Sequence, residues 1–505
     1  MQSPHGIHNV YTHAATPLEF WCVVNDHAMA SQPPCSARDV RGLGARGIFA
    51  GSDSYVRTYA HGARDRLWSL CSTPLALLKE AGWRDVTQSR GNWSVLPRFL
   101  FFCDGAMSNP HDDQLHRNAT ALAWQAREMC RLQDGCRMES LPIVIVNRAQ
   151  QKVGTVCQLG RKQESLHRWT KVAESSAGCS ISSVAIPQSF SLPSECARFG
   201  AAVAKNAYMA WIIKPSDKMH GAGIVHLSPQ RAQLQWSAHC HEQVIAQEYV
   251  EPLPIEGGFK FDLRAFLLVI ARGGDRPLRA FYHRGFARRS DTLYSPNSSS
   301  TNSHVTNAGT QTGTTQHFLS FGRVGRALSH EYGLPSTHMT EMVPSQMKRL
   351  MELHIRSLDV GTECTHPGVT AAGQPLSLSV GSFQMMAADF AMDTRGNVWL
   401  LEVNTSPHWG TYPTDDELTP SVYRSALELV LAVHEGTSPR AGARGDAGEP
   451  RCHAAWEPLH VDTLAQPPRA YNACQAVPAP SRVGRPFQLR PRVLTKLERL
   501  FKGLG

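Results

Sequence analysis

The apolar positions of this chain change period several times, and each change marks the end of one structural element and the start of another. Residues 67–81 carry helical spacing, 95–102 alternate as a strand, 118–131 return to helical spacing, and 141–146 form a short apolar strand. Residues 184–195 lead into a helix, and 209–214 are a short buried strand. Further strands are predicted at 244–250, 259–270 and 278–282, a Ser/Asn-rich loop at 294–303, and a helix at 344–358. Residues 420–434 read as a closing helix, with Thr419 as N-cap and Pro420 at the first helical position.

The two ends are patterned differently. The first 45 residues mix His, Pro, Ala and Gly without a period and are expected to be poorly ordered. A mixed α/β subdomain at 46–183 and a second folded region at 184–435 follow, and then Gly, Ala, Pro and Arg dominate a disordered linker at 436–488. Residues 489–505 regain a pattern: Val493, Leu494, Leu497, Leu500 and Phe501 share one helical face beside Arg492, Lys496, Arg499 and Lys502. That basic amphipathic helix suits an acidic surface, a membrane interface or docking on its own domain.

Composition narrows the class. At 505 residues and 42% apolar content the chain holds about three subdomains, and no apolar run reaches transmembrane length. The start lacks the regions of a signal peptide, so a cytoplasmic protein is expected. Thirteen cysteines, an odd number without a paired Cys-x-x-Cys pattern, point to reduced thiols rather than a disulfide framework or zinc ribbon, and Cys130 and Cys136 to buried or idle thiols rather than metal ligands. The net charge of +9 favours an acidic partner. Nucleic acid, an anionic membrane and an acidic protein segment all suit that charge, and with no RNA-recognition motif, zinc finger or basic zipper, nucleic acid is the weaker reading.

Residues 382–404 offer the first chemistry. Two arms rich in Val, Leu, Phe and Met flank Thr394-Arg-Gly-Asn397, whose glycine suits a two-residue hairpin loop. If Thr394 pairs with Asn397, Asp389 stands directly opposite Glu402, and Asn404 shares that face. Two carboxylates and an amide oxygen suit Mg²⁺ completed by substrate phosphates. An ordinary hairpin with Glu402 salt-bridged satisfies the same residues, and a one-residue slip would separate the carboxylates.

Two further segments belong with a phosphate. Lys214 ends a strand and precedes a loop holding His220, Gly221 and Gly223, where backbone amides can approach phosphate oxygens. A plain hairpin explains this loop equally. Lys260, Asp262 and Arg264 line one face of a strand that continues into the apolar run 265–270, so a polar ligand is expected over that face.

In order, Trp-Ile-Ile-Lys214-Pro with Gly-x-Gly-Ile, Ile-Ala-Gln247-Glu-Tyr-Val-Glu-Pro, Lys260-Phe-Asp262-Leu-Arg264, Gly285-Phe-Ala-Arg288, His304-Val-Thr306-Asn307 and Trp-Leu-Leu-Glu402-Val-Asn404-x-Ser-Pro make a series. Across residues 184–412 it resembles the tubulin-tyrosine ligase-like family. The resemblance implies an α/β (α+β) ATP-grasp fold and an ATP- and Mg²⁺-dependent ligase that activates a carboxylate as an acylphosphate. It implies tubulin tails or microtubules and a free amino acid as partners, a monomer, and a place on the cytoskeleton, with the cilium or basal body as a further compartment.

The resemblance also implies roles. Lys214, His220 and Gly221 would contact ATP phosphates, Gln247, Glu248, Tyr249 and Val250 would form the adenine hinge, and Lys260, Asp262, Thr306 and Asn307 would surround the nucleotide. Arg288, with Lys214, would be catalytic, and Asp389, Glu402 and Asn404 would hold Mg²⁺. Two departures stand out: His220 where the family has Arg or Lys, with Lys218 nearby as a substitute, and Ala308-Gly309 where glutamate-adding members have Tyr-Ser. Glutamate is the first choice for the added residue, with tyrosine or glycine as alternatives. A tail-binding protein without catalysis and a ligase for a non-tubulin acidic protein are the competing classes.

Overall fold

The computed structural model describes residues 162–175, 185–216, 221–271, 279–298, 300–306, 317–335, 337–357, 380–404, 418–435 and 456–459, with Pro407 and short pieces at 48–51, 57–59, 66–68, 78–79, 83–85, 99–101 and 144–146. The expected helices at 118–131 and 489–505, the first 45 residues, Lys218, His220 and the Asn307–Gly309 stretch lie outside the described residues.

The fold is α+β. Its strands are β1 (Ile48–Gly51), β2 (Arg57–Tyr59), β3 (Arg66–Trp68), β4 (Arg84–Asp85), β5 (Phe99–Phe101), β6 (Val144–Val146), β7 (Ser189–Ser191) and β8 (Trp211–Pro215). They continue with β9 (Val225–Leu227), β10 (Val244–Glu248), β11 (Phe259–Ala271), β12 (Arg279–Leu293), β13 (His317–Leu319), β14 (Val380–Met392), β15 (Val398–Asn404) and β16 (Glu457–Pro458). The helices are α1 (Lys162–Ser175), α2 (Cys196–Lys205), α3 (Pro229–Gln235), α4 (Thr301–His304), α5 (Phe321–Tyr332), α6 (Val343–Arg356) and α7 (Leu418–Glu435). None of the described helices is long and apolar enough to cross a membrane.

A large sheet runs in the order β13-β12-β11-β14-β6-β5-β1-β4, and β14 is its spine: residues 380–382 pair in parallel with β6, while 387–392 pair with β15. The continuous apolar run of β11 is explained by burial on both faces. Leu263, Ala265, Leu267 and Val269 join the core under α5 and α6, while Phe266 on the other face meets Tyr423 of α7 at 6.1 Å. A smaller antiparallel sheet, β7-β10-β8-β9, packs Phe190, Trp211 and Ile213 against Phe199 of α2. Among the described residues a cavity lies between these two sheets.

Several expectations are revised. The expected helix at 67–81 is interrupted, because Leu67 and Trp68 sit in β3, paired with β2, and helix is described only at Leu78–Lys79. Pro74 removes a backbone donor mid-way, which a single helix there would need. Helix α7 starts at Leu418, so Thr419 and Pro420 lie inside its first turn rather than Thr419 preceding it. Strand β12 runs well beyond the expected 278–282, because pairing with both β11 and β13 carries it to Leu293. The expectation of reduced thiols is overturned for one pair: Cys196 at the start of α2 and Cys240 form a disulfide that staples the helix to the turn after residues 236–239.

The tail also contributes. Residues 456–459 fall within the stretch expected to be disordered, yet β16 pairs with Phe281 and Tyr282 on the edge of β12. Apolar anchoring explains the difference. Leu459 is buried in the main core, Trp456 Nε1 donates to Ser425 Oγ at 2.9 Å, and Lys348 Nζ donates to Glu457 at 2.7 Å. Leu459→Ala should therefore lower stability by about 2–5 kcal/mol, read as a fall in the denaturant midpoint at unchanged slope.

Candidate functional site

Three neighbouring strands bring charged residues together by register. On β11, Asp262 lies directly across from Arg288 of β12, and Arg264 lies directly across from Asp389 of β14. Arg288 grips Asp262 with Nε–Oδ1 at 2.8 Å and Nη2–Oδ2 at 2.6 Å. Arg264 grips Asp389 in the same bidentate manner at 2.8 Å and 2.8 Å, and Arg288 Nη2 also reaches Asp389 Oδ2 at 3.2 Å. Asp389 is only 3% exposed and Arg288 4%, so these are interior ion pairs. Burial alone would push the Asp389 carboxyl up, but the two guanidinium groups outweigh it and hold the pKa at about 2.

The β11–β14 ladder is regular, whereas the β14–β15 and β11–β12 ladders each carry a bulge that matters here. Near the tip of the β14–β15 hairpin Met392 pairs with Val398, and a loop of Thr394, Arg395 and Gly396 closes between Asp393 and Asn397, with Gly396 at φ +83°. The expected two-residue turn is thus corrected to three residues, stabilised by Asp393 Oδ1, which accepts from the amides of Arg395 and Asn397 at 2.8 Å each. Carried on without interruption, that register would set Asp389 opposite Leu401. A bulge at Leu401 shifts it by one, and Asp389 faces Glu402 as the sequence predicts.

On the other side, β12 carries Arg284 and Gly285 opposite Ala265 alone, with Gly285 at φ +68°. Without that extra residue Asp262 would meet Ala287 rather than Arg288.

The cavity between the sheets collects most of the expected residues. Lys214 and the expected hinge residues Gln247, Glu248, Tyr249 and Val250 border it from the small sheet. Lys260, Asp262, Arg288, Thr306, Asp389 and Glu402 border it from the large one. Lys214 Nζ donates to Gln247 Oε1 at 2.8 Å, and Gln247 Nε2 in turn donates to Ser189 Oγ at 3.1 Å. The amides of Glu248 and Tyr249 are tied to the Gln188 and Ala210 carbonyls, so the hinge is a fixed edge. Thr306 Oγ1 donates to Asp262. Asn404 does not border the cavity but touches its wall, Nδ2 donating to Asp389 Oδ2 at 3.3 Å. Gly221 takes φ +79° in the loop between β8 and β9 but is not a lining residue, whereas Ile224 of the same loop is.

Electrostatics follow from burial. Desolvation pulls the Lys214 pKa down, opposed by Glu402 and Asp389, and pulls Lys260 down to about 8, opposed by Asp262 and Glu251. Both ammonium groups are poised for an anion that would repay their lost hydration.

Sequence reasoning missed one pairing and one participant. Arg264 stands on the charged face expected from the sequence, but its partner on β14 carries no local signal. Lys162 of α1 lies 3.8 Å from Glu402 Oε2 and donates to the Pro215 carbonyl at 3.5 Å, placing a further cation beside that carboxylate. Helix α1 precedes the quoted motifs, and helical spacing alone does not mark one lysine among its polar positions.

The tubulin-tyrosine ligase family matches residues 148–439. Among curated relatives, a protein polyglycylase, TTLL10 of Macaca fascicularis, is 27% identical over 253 residues, covering 45% of this chain and 38% of the relative. The human protein named inactive polyglycylase TTLL10 is 27% identical over 245 residues, 44% of this chain and 34% of the relative. The probable tubulin polyglutamylase TTLL9 of Mus musculus is 26% identical over 308 residues, 53% of this chain and 64% of the relative. The chain therefore spans about a third of the first two and under two thirds of the third.

The bulge at Gly285 gives a direct test. A Cβ there would sit 1.9 Å from the Arg264 carbonyl oxygen, a backbone atom that cannot swing aside, in a conformation that side chains resist. Gly285→Ala is expected to cost about 2–5 kcal/mol and to misplace Arg264 and Arg288, seen as a lower melting temperature.

Proposed function

Because this chain belongs to the tubulin-tyrosine ligase family, we propose that it is an ATP-dependent ligase joining a free amino acid, through an amide bond, to a side-chain carboxylate of an acidic tubulin tail. The reading rests on one observation above all: Asp389 and Glu402 stand directly opposite each other at the cavity that Lys214, Lys260 and Arg288 also line. Glutamate is the amino acid we assign, with glycine the alternative that the relatives' names raise.

In this reading Asp389 and Glu402, opposite each other on one hairpin at the cavity with Asp389 held ionised, would hold a hard divalent cation, with Asn404 behind them donating its Nδ2 to Asp389 and Arg264 sharing the Asp389 oxygens. Mg²⁺ held there would neutralise charge on the nucleotide phosphates. The rest falls to the chain's own groups. The Gln247–Val250 edge would orient the base, and Lys214 and Lys260 would bind the phosphates by charge.

An acceptor carboxylate oxygen attacks the γ-phosphorus, the bond to the β-phosphate oxygen breaks, and ADP leaves with an acylphosphate formed. The neutral amine of the amino acid then attacks the acyl carbon, loses a proton, and expels inorganic phosphate. Arg288 would stabilise the anionic oxygens of both steps from a fixed position, since Asp262 already sets the plane of its guanidinium group. The chain's net charge of +9 would steer the acidic tail toward it.

Incubating the protein with tubulin, Mg-ATP and each labelled amino acid tests the whole reading. Incorporation of glutamate or glycine is expected, and no incorporation of any amino acid would sink it. Glu402→Gln should retain the melting temperature within a few degrees while ligation falls about a hundredfold or more. A fully active Glu402→Gln enzyme would remove the metal assignment.

A pH dependence follows from Lys260. Its ammonium group loses charge as pH rises through about 8, because burial lowers its pKa against the pull of Asp262 and Glu251. Nucleotide affinity should accordingly be highest below that value and fall above it, and Lys260→Arg should flatten the profile. Fluorescent-nucleotide titrations from neutral to alkaline pH measure this.

A further inference from the structure

A buried histidine that plays no part in the chemistry above stands where the two sheets meet. Across the small sheet, Gln247 of β10, Ile212 of β8 and His226 of β9 lie side by side in one row. The first two members border the cavity, but His226 does not, because His304 of α4 covers it. The two imidazole rings are stacked 3.6 Å apart at 15°, and His304 itself borders the cavity.

His304 is locked in place. Its Nε2 faces the Ser298 carbonyl at 2.9 Å and its Nδ1 faces Tyr249 Oη at 3.1 Å, which fits an Nε2–H tautomer accepting from the tyrosine. Tyr249 belongs to the hinge and also meets the His226 ring edge-on at 4.7 Å. Tyr294 Oη donates to Glu251, and the Lys260 ammonium lies 5.6 Å from the centre of the Tyr249 ring. Thr301 Oγ1 donates to the Ile224 carbonyl at 3.4 Å, a second tie between α4 and the β8–β9 loop. The wall formed by Ile224, Tyr249 and His304–Thr306 is thus assembled from both sheets.

We propose that His226 is a positioning residue for the nucleotide: stacked flat on His304, it clamps the α4 turn to the small sheet and so fixes this wall of the cavity. The inference rests on the reading of the cavity as a nucleotide site. Among the described residues neither ring nitrogen of His226 makes a well-aligned hydrogen bond, although the ring is 3% exposed; the Ser298 carbonyl near it is already taken by His304 Nε2 at 2.9 Å. What the residue contributes is therefore its flat face. Burial, and for His226 also the neighbouring His304, keeps both imidazoles neutral at pH 7, with pKa values of about 3 for His226 and about 4 for His304, so no charge repulsion opposes the stack.

Two substitutions separate flatness from bulk. His226→Leu keeps side-chain volume but removes the planar face, and His226→Phe keeps the face while removing both ring nitrogens. With a fluorescent ADP analogue and Mg²⁺, the wild-type chain is expected to bind saturably, His226→Leu to bind about three- to tenfold more weakly, and His226→Phe to recover wild-type affinity within about twofold. With tubulin as acceptor, the loss in His226→Leu should appear in KM for ATP, with kcat at saturating ATP kept within about twofold.

Equal affinity in His226→Leu and wild type would overturn the proposal. So would a His226→Phe variant as weak as His226→Leu, since the nitrogens would then matter. A wild-type chain that binds no nucleotide would instead remove the nucleotide-site reading, and the proposal with it.

Discussion

The site depends on burying two carboxylates between two guanidinium groups without leaving any of the four charges unmatched. Interior ion pairs contribute little net stability, yet breaking one costs about 3–5 kcal/mol because the survivor stays buried. Here both pairs are cross-strand neighbours, Asp262 with Arg288 and Arg264 with Asp389, so one slipped residue in either ladder would separate both partners at once. The same charges that border the cavity therefore hold three long strands in a single alignment. The apolar faces alone would hold it less firmly, since β11 is buried on both sides and a slip would exchange one apolar face for the other.

A bulge sets the Asp262–Arg288 pair, and a second one sets Glu402 opposite Asp389. At Gly285 and at Leu401 one extra residue shifts the ladder so that a charged side chain faces its counterpart across the strand gap. Bulges gather at sites because they re-aim side chains without changing the strand order. Glycine is required at one bulge, where the backbone turns left-handed against the Arg264 carbonyl, and dispensable at the other, which uses Leu401.

The legibility of the site in the sequence divides along the same line. Strand alternation and the carboxylate pair were enough to place Asp389 against Glu402, and they did so through a turn of the wrong length. The three-residue loop and the Leu401 bulge each move the register by one in opposite senses, so the two cancel. Asp393, whose side chain organises the loop, looks in sequence like one more acidic residue near a turn. Long-range pairing was illegible for a different reason. Arg264 with Asp389, Lys162 with Glu402 and Cys196 with Cys240 join residues far apart in the chain, and no local period records which partner a side chain will meet. Local pattern also misled at 67–81, where helical spacing crossed Pro74 and a strand.

The strand at 457–458 bears on more than its own anchoring. Sheet edges with open backbone donors and acceptors invite pairing with any extended chain. On β12 the edge is shared out, β13 covering residues 287–289 and β16 covering Phe281 and Tyr282. A shortened chain that ends before Trp456 would keep every described residue that lines the cavity and still present a bare length of strand at Phe281 and Tyr282. Its first new partner would be another extended segment, and self-association rather than lost chemistry would mark the change.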